Sequence, residues 1–342
     1  MKVLHVMLSS GNGGAERFFE GLCKSLSLRG VVQVVVIHKN SNRANRLKSY
    51  GCDVFEINAK GINRFLVAGK IKKICLKEKV SCMLGWMSRG TAALPRIEGV
   101  SRIGRVGGFY KSKYFSNCDA IIVNTPDLKK YLITKGLGDK KFAVIPNFKI
   151  INSAKTGKLK SKFQLHPRSE KTVIHPGRLD KSKGFDISLK VISTLSNVRL
   201  LIAGEGPLRN QLIEQARKLR VIQKVDFLGW VDDIDSIFRK ADACLFPTRN
   251  EPFGNVILDC WMNEVPIVTT NFGGPKWLIK NGFNGFLCER DDVSEFCTKL
   301  NRILYDSTLS QSIINNGLMT LNEKFSEDAV SSMYMNLFNE YS

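Results

Sequence analysis

Arg178 and Lys183 stand five residues apart in the segment Gly177-Arg178-Leu179-Asp180-Lys181-Ser182-Lys183-Gly184-Phe185, directly after an apolar run at 172–176. An arginine fork and a lysine point charge, spaced across a turn that opens a helix, can both reach one diphosphate. The plain alternative is a solvated surface cluster. Glu251 and Asp259 form a second group, after the apolar run 243–247, with Gly254 between them. Both carboxylates can accept hydrogen bonds from sugar hydroxyls, and Gly254 leaves the amides of a helix start open to phosphate or hydroxyl oxygens. A loop acid and an acid two helical turns later do not aim readily at one bond, as a glycosidase pair would; complementing the helix dipole is the plainer role. The third group is the loop Ser9-Ser10-Gly11-Asn12-Gly13-Gly14-Ala15-Glu16, after the run 2–8. Its glycines let backbone approach a ligand, and the next helix offers amides to an anion. It is not a dinucleotide fingerprint. Glu16 fills the third glycine position, and the second strand ends in His38-Lys39-Asn40, with no acid for a ribose. An ordinary tight turn is its alternative.

These loops need strands that end where they begin. Apolar runs at 2–8, 31–37, 53–57, 81–86, 120–125 and 142–146, then at 172–176, 199–203, 225–228, 243–247, 266–270 and 285–288, predict strands. Unalternated β-branched runs of this length suit strands buried on both faces. Amphipathic stretches at 15–29, 64–79, 208–219 and 234–241 predict helices between them. In the first, Phe18, Phe19, Leu22, Cys23 and Leu26 share a face and Gly30 is a C-terminal stop. Strand–helix alternation implies parallel sheets with right-handed crossovers, in which ligands bind beyond the carboxyl ends of the strands. The pattern resets once, across a polar, basic stretch at 151–171. The sequence therefore reads as α/β with two doubly wound domains, 1–150 and 172–325, joined by a linker at 151–171 and followed by a terminal segment at 326–342.

Composition narrows the function. Hydrophobic residues make up 43% and charged residues 24% of the 342, an ordinary globular balance and enough chain for two domains of about 100–200 residues. No apolar run approaches the roughly 20 residues that span a bilayer. The first run is too short for a secretory signal core, which predicts a cytoplasmic protein. Nine cysteines include no CxxC pair, and the four histidines are dispersed, which argues against a zinc site or a disulfide framework. The net charge of +21 is uneven: residues 1–150 hold 27 basic against 9 acidic, 151–171 hold 6 against 1, and 172–342 hold 19 against 21. Such asymmetry suggests a polyanionic partner for the first half only: a membrane surface, a phosphorylated acceptor or nucleic acid. No helix-turn-helix, RNP or zinc-finger pattern supports nucleic acid. Lys70, Lys72, Lys73, Lys77 and Lys79 cluster in the predicted helix 64–79, where each basic residue would gain about 1 kcal/mol near an anionic leaflet; a solvated helix face is the alternative.

Together these sites resemble the family-4 retaining glycosyltransferases of the GT-B fold. Glu251-Pro252-Phe253-Gly254, then Asp259 after four residues, is similar to their E-x-F-G-x4-E signature, and Gly177-Arg178 followed by Lys183-Gly184 is similar to their diphosphate-binding segment. Gly204-Glu205-Gly206-Pro207 and Phe227-Leu228-Gly229-Trp230-Val231 match in order and spacing. The resemblance covers nearly the whole chain and is most specific over 172–290. It implies two Rossmann-like domains facing across a cleft: an acceptor domain at 1–150, a nucleotide-sugar domain at 172–325, and a final helix returning to the first domain. By the same resemblance Arg178, Lys183 and Glu251 are the catalytic residues. The two cations hold the diphosphate and neutralise the leaving group, and Glu251 binds donor-sugar hydroxyls. The amides of Phe253, Gly254, Asn255 and Val256 meet sugar and phosphate, and Asp259 binds the ribose. Glu205, Trp230 and Val231 lie near the base, Gly177 and Gly204 belong to the donor loops, and Gly13 and Gly14 approach phosphates and sugar. Three positions depart from the pattern. Asp259 replaces a glutamate, Trp277 stands where many relatives carry an acid, and Trp86-Met87-Ser88-Arg89 stands where many carry a histidine. The segment 105–110 is assigned to the acceptor side.

The implied reaction moves a hexose-type sugar from a UDP-, GDP- or ADP-sugar to a saccharide or lipid-linked acceptor such as lipopolysaccharide core, with retention. Preorganised cations and amides can stabilise the departing diphosphate, so no metal or other cofactor is required. Asp233-Ile234-Asp235 reads as an acid cluster at a helix start rather than a metal clamp. The basic half places the protein at the cytoplasmic face of an anionic inner membrane. The rival readings are a sugar-nucleotide epimerase or a phosphorylase on the same fold, a basic nucleic-acid binder, and a non-catalytic partner protein.

Overall fold

A computed structural model describes residues 1–11, 13–59, 61, 63–149 and 170–342. Asn12 and all but the end of the stretch 151–171 lie outside the described residues. The chain forms two units, Met1–Ile150 with Phe325–Ser342, and Ile151–Lys324.

The first unit is built on seven parallel strands, β1 (Lys2–Met7), β2 (Val32–His38), β3 (Asp53–Ile57), β4 (Cys82–Trp86), β5 (Ser101–Val106), β6 (Ala120–Val123) and β7 (Lys141–Val144), in the order β3-β2-β1-β4-β5-β6-β7. Alternate residues of β1 feed two cores, which is why its sequence runs apolar without a break. Val3 and Met7 pack with Phe18, Phe19 and Leu22 of the helix Gly14–Leu28, whereas Leu4 and Val6 pack with Val67 and Ile71 of the helix Arg64–Glu78. The helix Glu327–Glu340 completes the first of these cores with Val330, Tyr334, Leu337 and Phe338. Its Ser331 Oγ meets Ser25 Oγ at 2.7 Å, and Glu327 lies 3.6 Å from Arg29.

Strand β5 departs from the sequence reading, which placed six strands here. Its sequence, Ser101-Arg102-Ile103-Gly104-Arg105-Val106, is interrupted by two arginines and a glycine. Tertiary packing overrides that pattern, since Gly104 lets Phe115 and Cys118 pack close and Arg105 is itself buried. β6 also stops two residues short of the expected 125. Thr125 instead caps the helix Pro126–Leu132, accepting the Leu128 amide at 3.3 Å.

The second unit has six parallel strands, β8 (Lys171–Pro176), β9 (Val198–Ala203), β10 (Val225–Gly229), β11 (Ala243–Phe246), β12 (Ile267–Thr270) and β13 (Phe286–Cys288), in the order β10-β9-β8-β11-β12-β13. Lys171, read as the last linker residue, begins β8. The order reverses between β8 and β11, the switch point beyond whose carboxyl ends open parallel sheets bind ligands. Among the described residues, all nine cysteines are free and eight are buried. Phe338→Ala should destabilise the first unit by about 3–5 kcal/mol through loss of a fully buried ring, seen as a lowered urea midpoint with its transition resolved from that of the second unit.

Candidate active site

The loops leaving β8 and β11 are joined through one backbone atom. The Ser182 carbonyl accepts the Thr248 hydroxyl at 3.0 Å, the Arg249 amide at 2.7 Å and the Asn250 amide at 3.2 Å. Asp180 holds the turn from the other side by accepting the Ser182 amide at 2.9 Å. Gly184 makes the contact sterically feasible, because it adopts φ +71° and a Cβ there would sit 1.9 Å from the Pro247 carbonyl oxygen. The result sets Lys183 Nζ 2.6 Å from Glu251 Oε2, both side chains mostly shielded, with the ammonium 5.6 Å from the Phe246 ring centre. Behind the turn, His175 on β8 is fully buried; it meets Ser188 Oγ at 2.8 Å and stacks on Phe185. Burial lowers its imidazole to about 3, so it is neutral near pH 7.

The sequence-selected residues of the second unit fall along one sheet edge without all touching. Lys183 and Glu251 are in contact. Arg178 extends into solvent, 73% exposed, with its Nε 3.9 Å from Asp180. Gly177 and Gly204 bring the loops after β8 and β9 together. A Cβ on Gly204 would stand 1.9 Å from the Gly177 carbonyl oxygen, and the Leu179 amide donates to the Glu205 carbonyl at 2.9 Å. Glu205 lies beside the end of β10, its Oε1 2.8 Å from where a Gly229 Cβ would project, and next to it Trp230 is exposed with Nε1 on Asp232 at 2.9 Å. Val231 follows in that turn. Phe253 is buried, its ring 6.3 Å from that of Trp277, and the loop after β12 is tied back by the Gly274 amide on the Glu251 carbonyl at 2.9 Å. Gly254, Asn255 and Val256 begin the helix Asn255–Met262, within which Asp259 is 8% exposed. In the first unit, Gly13 and Gly14 start the helix Gly14–Leu28. Asp235, from the acid cluster at 233–235, accepts Asn263 Nδ2 at 3.1 Å. Among the described residues no group of three His, Cys, Asp or Glu side chains is placed to hold a metal ion.

Residues 158–319 match the family described as "Glycosyl transferases group 1". Over 344 aligned residues, 98% of this chain and 98% of its counterpart, the chain is 30% identical to the lipopolysaccharide core biosynthesis glycosyltransferase LpsE of Rhizobium meliloti. The chain belongs to the group 1 glycosyltransferases. Its fold matches that of a glycosyltransferase from Rickettsia africae, with TM-score 0.86, 18% identity and coverage of 99% of this chain and 98% of that one. It also matches Anabaena Alr3699/HepE in complex with UDP-glucose, with TM-score 0.82, 18% identity and coverage of 99% and 100%. The architecture is GT-B, and the protein is an enzyme of nucleotide-sugar transfer; the nucleic-acid alternative gives way to it.

Two arginines that position the loops of this glycosyltransferase escaped the sequence reading. Arg249 binds both carboxylate oxygens of Asp186, at 2.8 and 2.7 Å, and Asp291 at 2.7 Å, clamping the loop that carries Glu251. Arg43, fully buried, pairs with Glu20 at 2.8 Å and donates to the carbonyls of Ser9 at 3.0 Å and Gly11 at 2.6 Å, bracing the glycine loop. Glu16 completes that brace by accepting the Ser9 hydroxyl. The available signal was weak: lone arginines in predicted helices or loops look like surface charge. Burial of Asp186 raises its pKa, but the hydrogen bonds and charge of Arg249 outweigh this and hold the carboxyl below its ordinary range. Its ionised form therefore contributes stability above about pH 4, lost as pH falls through the depressed pKa. Asp186→Asn should lower the thermal midpoint most near pH 7, and the gap from the parent protein should close in a titration towards pH 3.

Proposed function

We propose that this enzyme is a family-4 retaining transferase that moves a hexose-type sugar from a UDP-sugar to a saccharide or lipid-linked acceptor of envelope glycan synthesis. The 2.6 Å contact between Lys183 and Glu251 carries the reading. It sets a cation for the leaving diphosphate beside a carboxylate for the sugar hydroxyls, on two loops fixed by a shared carbonyl. Donor binding exchanges partners: the ammonium turns to the phosphates and frees Glu251 to accept sugar hydroxyls. Arg178, exposed on the same loop, then folds over the diphosphate. As the C–O bond to the leaving phosphate breaks, the acceptor hydroxyl oxygen bonds the anomeric carbon and its proton passes to the departing diphosphate, whose growing charge the two cations and the amides of 253–256 stabilise. These residues supply the stabilisation themselves, so the reaction is proposed to need no metal. Asp259 takes the ribose, and Glu205 with the turn at Trp230 and Val231 takes the base. The second unit thus serves the donor and the first, with Gly13 and Gly14 on its glycine loop, the acceptor. UDP is the favoured nucleotide because the Anabaena protein of matching fold binds UDP-glucose, and lipopolysaccharide core is the favoured acceptor class from the likeness to LpsE.

Lys183→Ala and Arg178→Ala should each lower kcat by about a hundredfold, about 3 kcal/mol of transition-state stabilisation. Full turnover in both would remove the assignment. UDP should raise the thermal midpoint of the parent protein more than GDP or ADP does, and proton NMR of the product should report the donor's anomeric configuration.

We also propose peripheral attachment to the cytoplasmic face of an anionic membrane. On the helix Arg64–Glu78, Phe65 is 71%, Leu66 64% and Leu76 56% exposed, among the exposed lysines Lys70, Lys72, Lys73 and Lys77. Apolar side chains flanked by ammonium groups suit an interface where the chains dip below the headgroups and the charges meet anionic lipid. Among the described residues no helix is long and apolar enough to cross a membrane. The protein should co-sediment with vesicles containing phosphatidylglycerol and not with neutral ones. Phe65→Ser with Leu66→Ser should reduce that binding, and equal partitioning to both vesicle types would remove the reading.

A further inference from the structure

We propose that the carboxyl edge of β5 and β6 forms a subsite for an anionic group, phosphate or carboxylate, on the acceptor sugar. This rests on sugar transfer as the reaction and adds the acceptor's chemical class. Arg105 sits on β5 in register with Trp86 of β4 and Ile122 of β6, and is 2% exposed. Its guanidinium is held by neutral groups only. Nε donates to Tyr334 Oη at 3.0 Å, Nη2 donates to Asn147 Oδ1, and Cζ lies 4.8 Å from the Phe18 ring centre and 5.3 Å from that of Trp86. Among the described residues no carboxylate pairs with it. Arg43, the other buried arginine of this unit, has Glu20 at 2.8 Å. Glu16, at the start of the neighbouring helix, is taken up by Ser9. A cation withdrawn from water without a counter-ion is costly, and aromatic faces offset only part of that cost.

Two polar side chains with spare hydrogen-bonding capacity lie near Gly107. Nη1 makes no hydrogen bond among the described residues, and lies 2.8 Å from the point where a side chain on Gly107 would begin. Nδ2 of Asn124 lies 3.9 Å from the same point. Asn124, at the end of β6, is 2% exposed, and its Oδ1 finds no donor. The missing group is therefore one with an anionic oxygen for the guanidinium and a neighbouring hydroxyl for the amide oxygen. Phosphorylated sugars and sugar acids both present that pair, whereas a neutral sugar leaves the cation unpaired. Tyr110, beside Gly108, adds a hydroxyl at the rim. Burial raises the pKa of that phenol, so it meets a ligand as a neutral donor.

The test titrates the full-length protein, without donor, with glucose 6-phosphate, glucuronate and glucose, read by ligand-observed NMR. At least one anionic probe should bind about tenfold or more tightly than glucose, and the preference between phosphate and carboxylate names the source of the anion. Gly107→Ala places a methyl against Nη1 and keeps Arg105. Asn124→Leu removes the amide. Each should lose about tenfold in anion affinity with UDP affinity and thermal midpoint unchanged, which separates a lost subsite from a lost fold. The proposal is overturned if neither anion outbinds glucose, if anion binding survives both substitutions, or if it is abolished by UDP and by Lys183→Ala, which would place the anion at the donor phosphates. Failure of UDP to bind the parent protein would count against the donor reading alone, since the anion titrations contain no nucleotide.

Discussion

The carbonyl oxygen of Ser182 is the point on which the donor side of this enzyme turns. Two strands of a parallel sheet end side by side, and their loops have no ladder beyond that edge to keep them in register. Three donors from the exit of β11 meet this one acceptor. Because the acceptor belongs to the backbone, the join constrains where Lys183 and Glu251 start rather than where their tips end. A short, unbranched connection of this kind holds a lysine and a glutamate at bonding distance, and it leaves both side chains free to change partners when a diphosphate arrives. Arg249 anchors the same loop to Asp186 and Asp291, so an ion-pair network on one side and a hydrogen-bond junction on the other define its path.

The two units handle charge in opposite ways. In the second, cations at the strand edge face carboxylates close by, and the sequence is nearly balanced. In the first, which carries the excess of basic residues, one buried arginine is neutralised by Glu20 and another is enclosed by a phenol, an amide and two aromatic rings. An uneven distribution of this sort biases which half of the molecule an anionic partner approaches, over distances longer than any single contact.

What could be read from the sequence follows from these physics. Strands buried on both faces write themselves as unbroken apolar runs, so β1, β2 and β8 were visible to within a residue or two. β5 was not, because its inward side chains include an arginine whose burial depends on Trp86, Phe18 and Tyr334, residues remote in sequence. Lys183 and Glu251 were legible as a pair of motifs after strands, since chemistry at a sheet edge demands particular residue types at fixed offsets from a strand. Their partnership across 68 residues was not, and neither was the clamp by Arg249, whose neighbours in sequence give no hint of Asp186. The glycines at 177 and 204 were assigned to the donor loops, and in the folded chain they let the loops after β8 and β9 cross at backbone distance.

The composition of the first unit from two separated stretches, Met1–Ile150 and Phe325–Ser342, has a consequence for biosynthesis. Ribosomes deliver chain in order, and domains as a rule mature from the amino end. Here the aromatic core around Phe18, Trp86 and Phe338 stays open until the whole intervening unit has emerged. The nascent first half therefore exposes a greasy groove that a holding chaperone would recognise, and the later-made unit can reach its native state before the earlier one is finished.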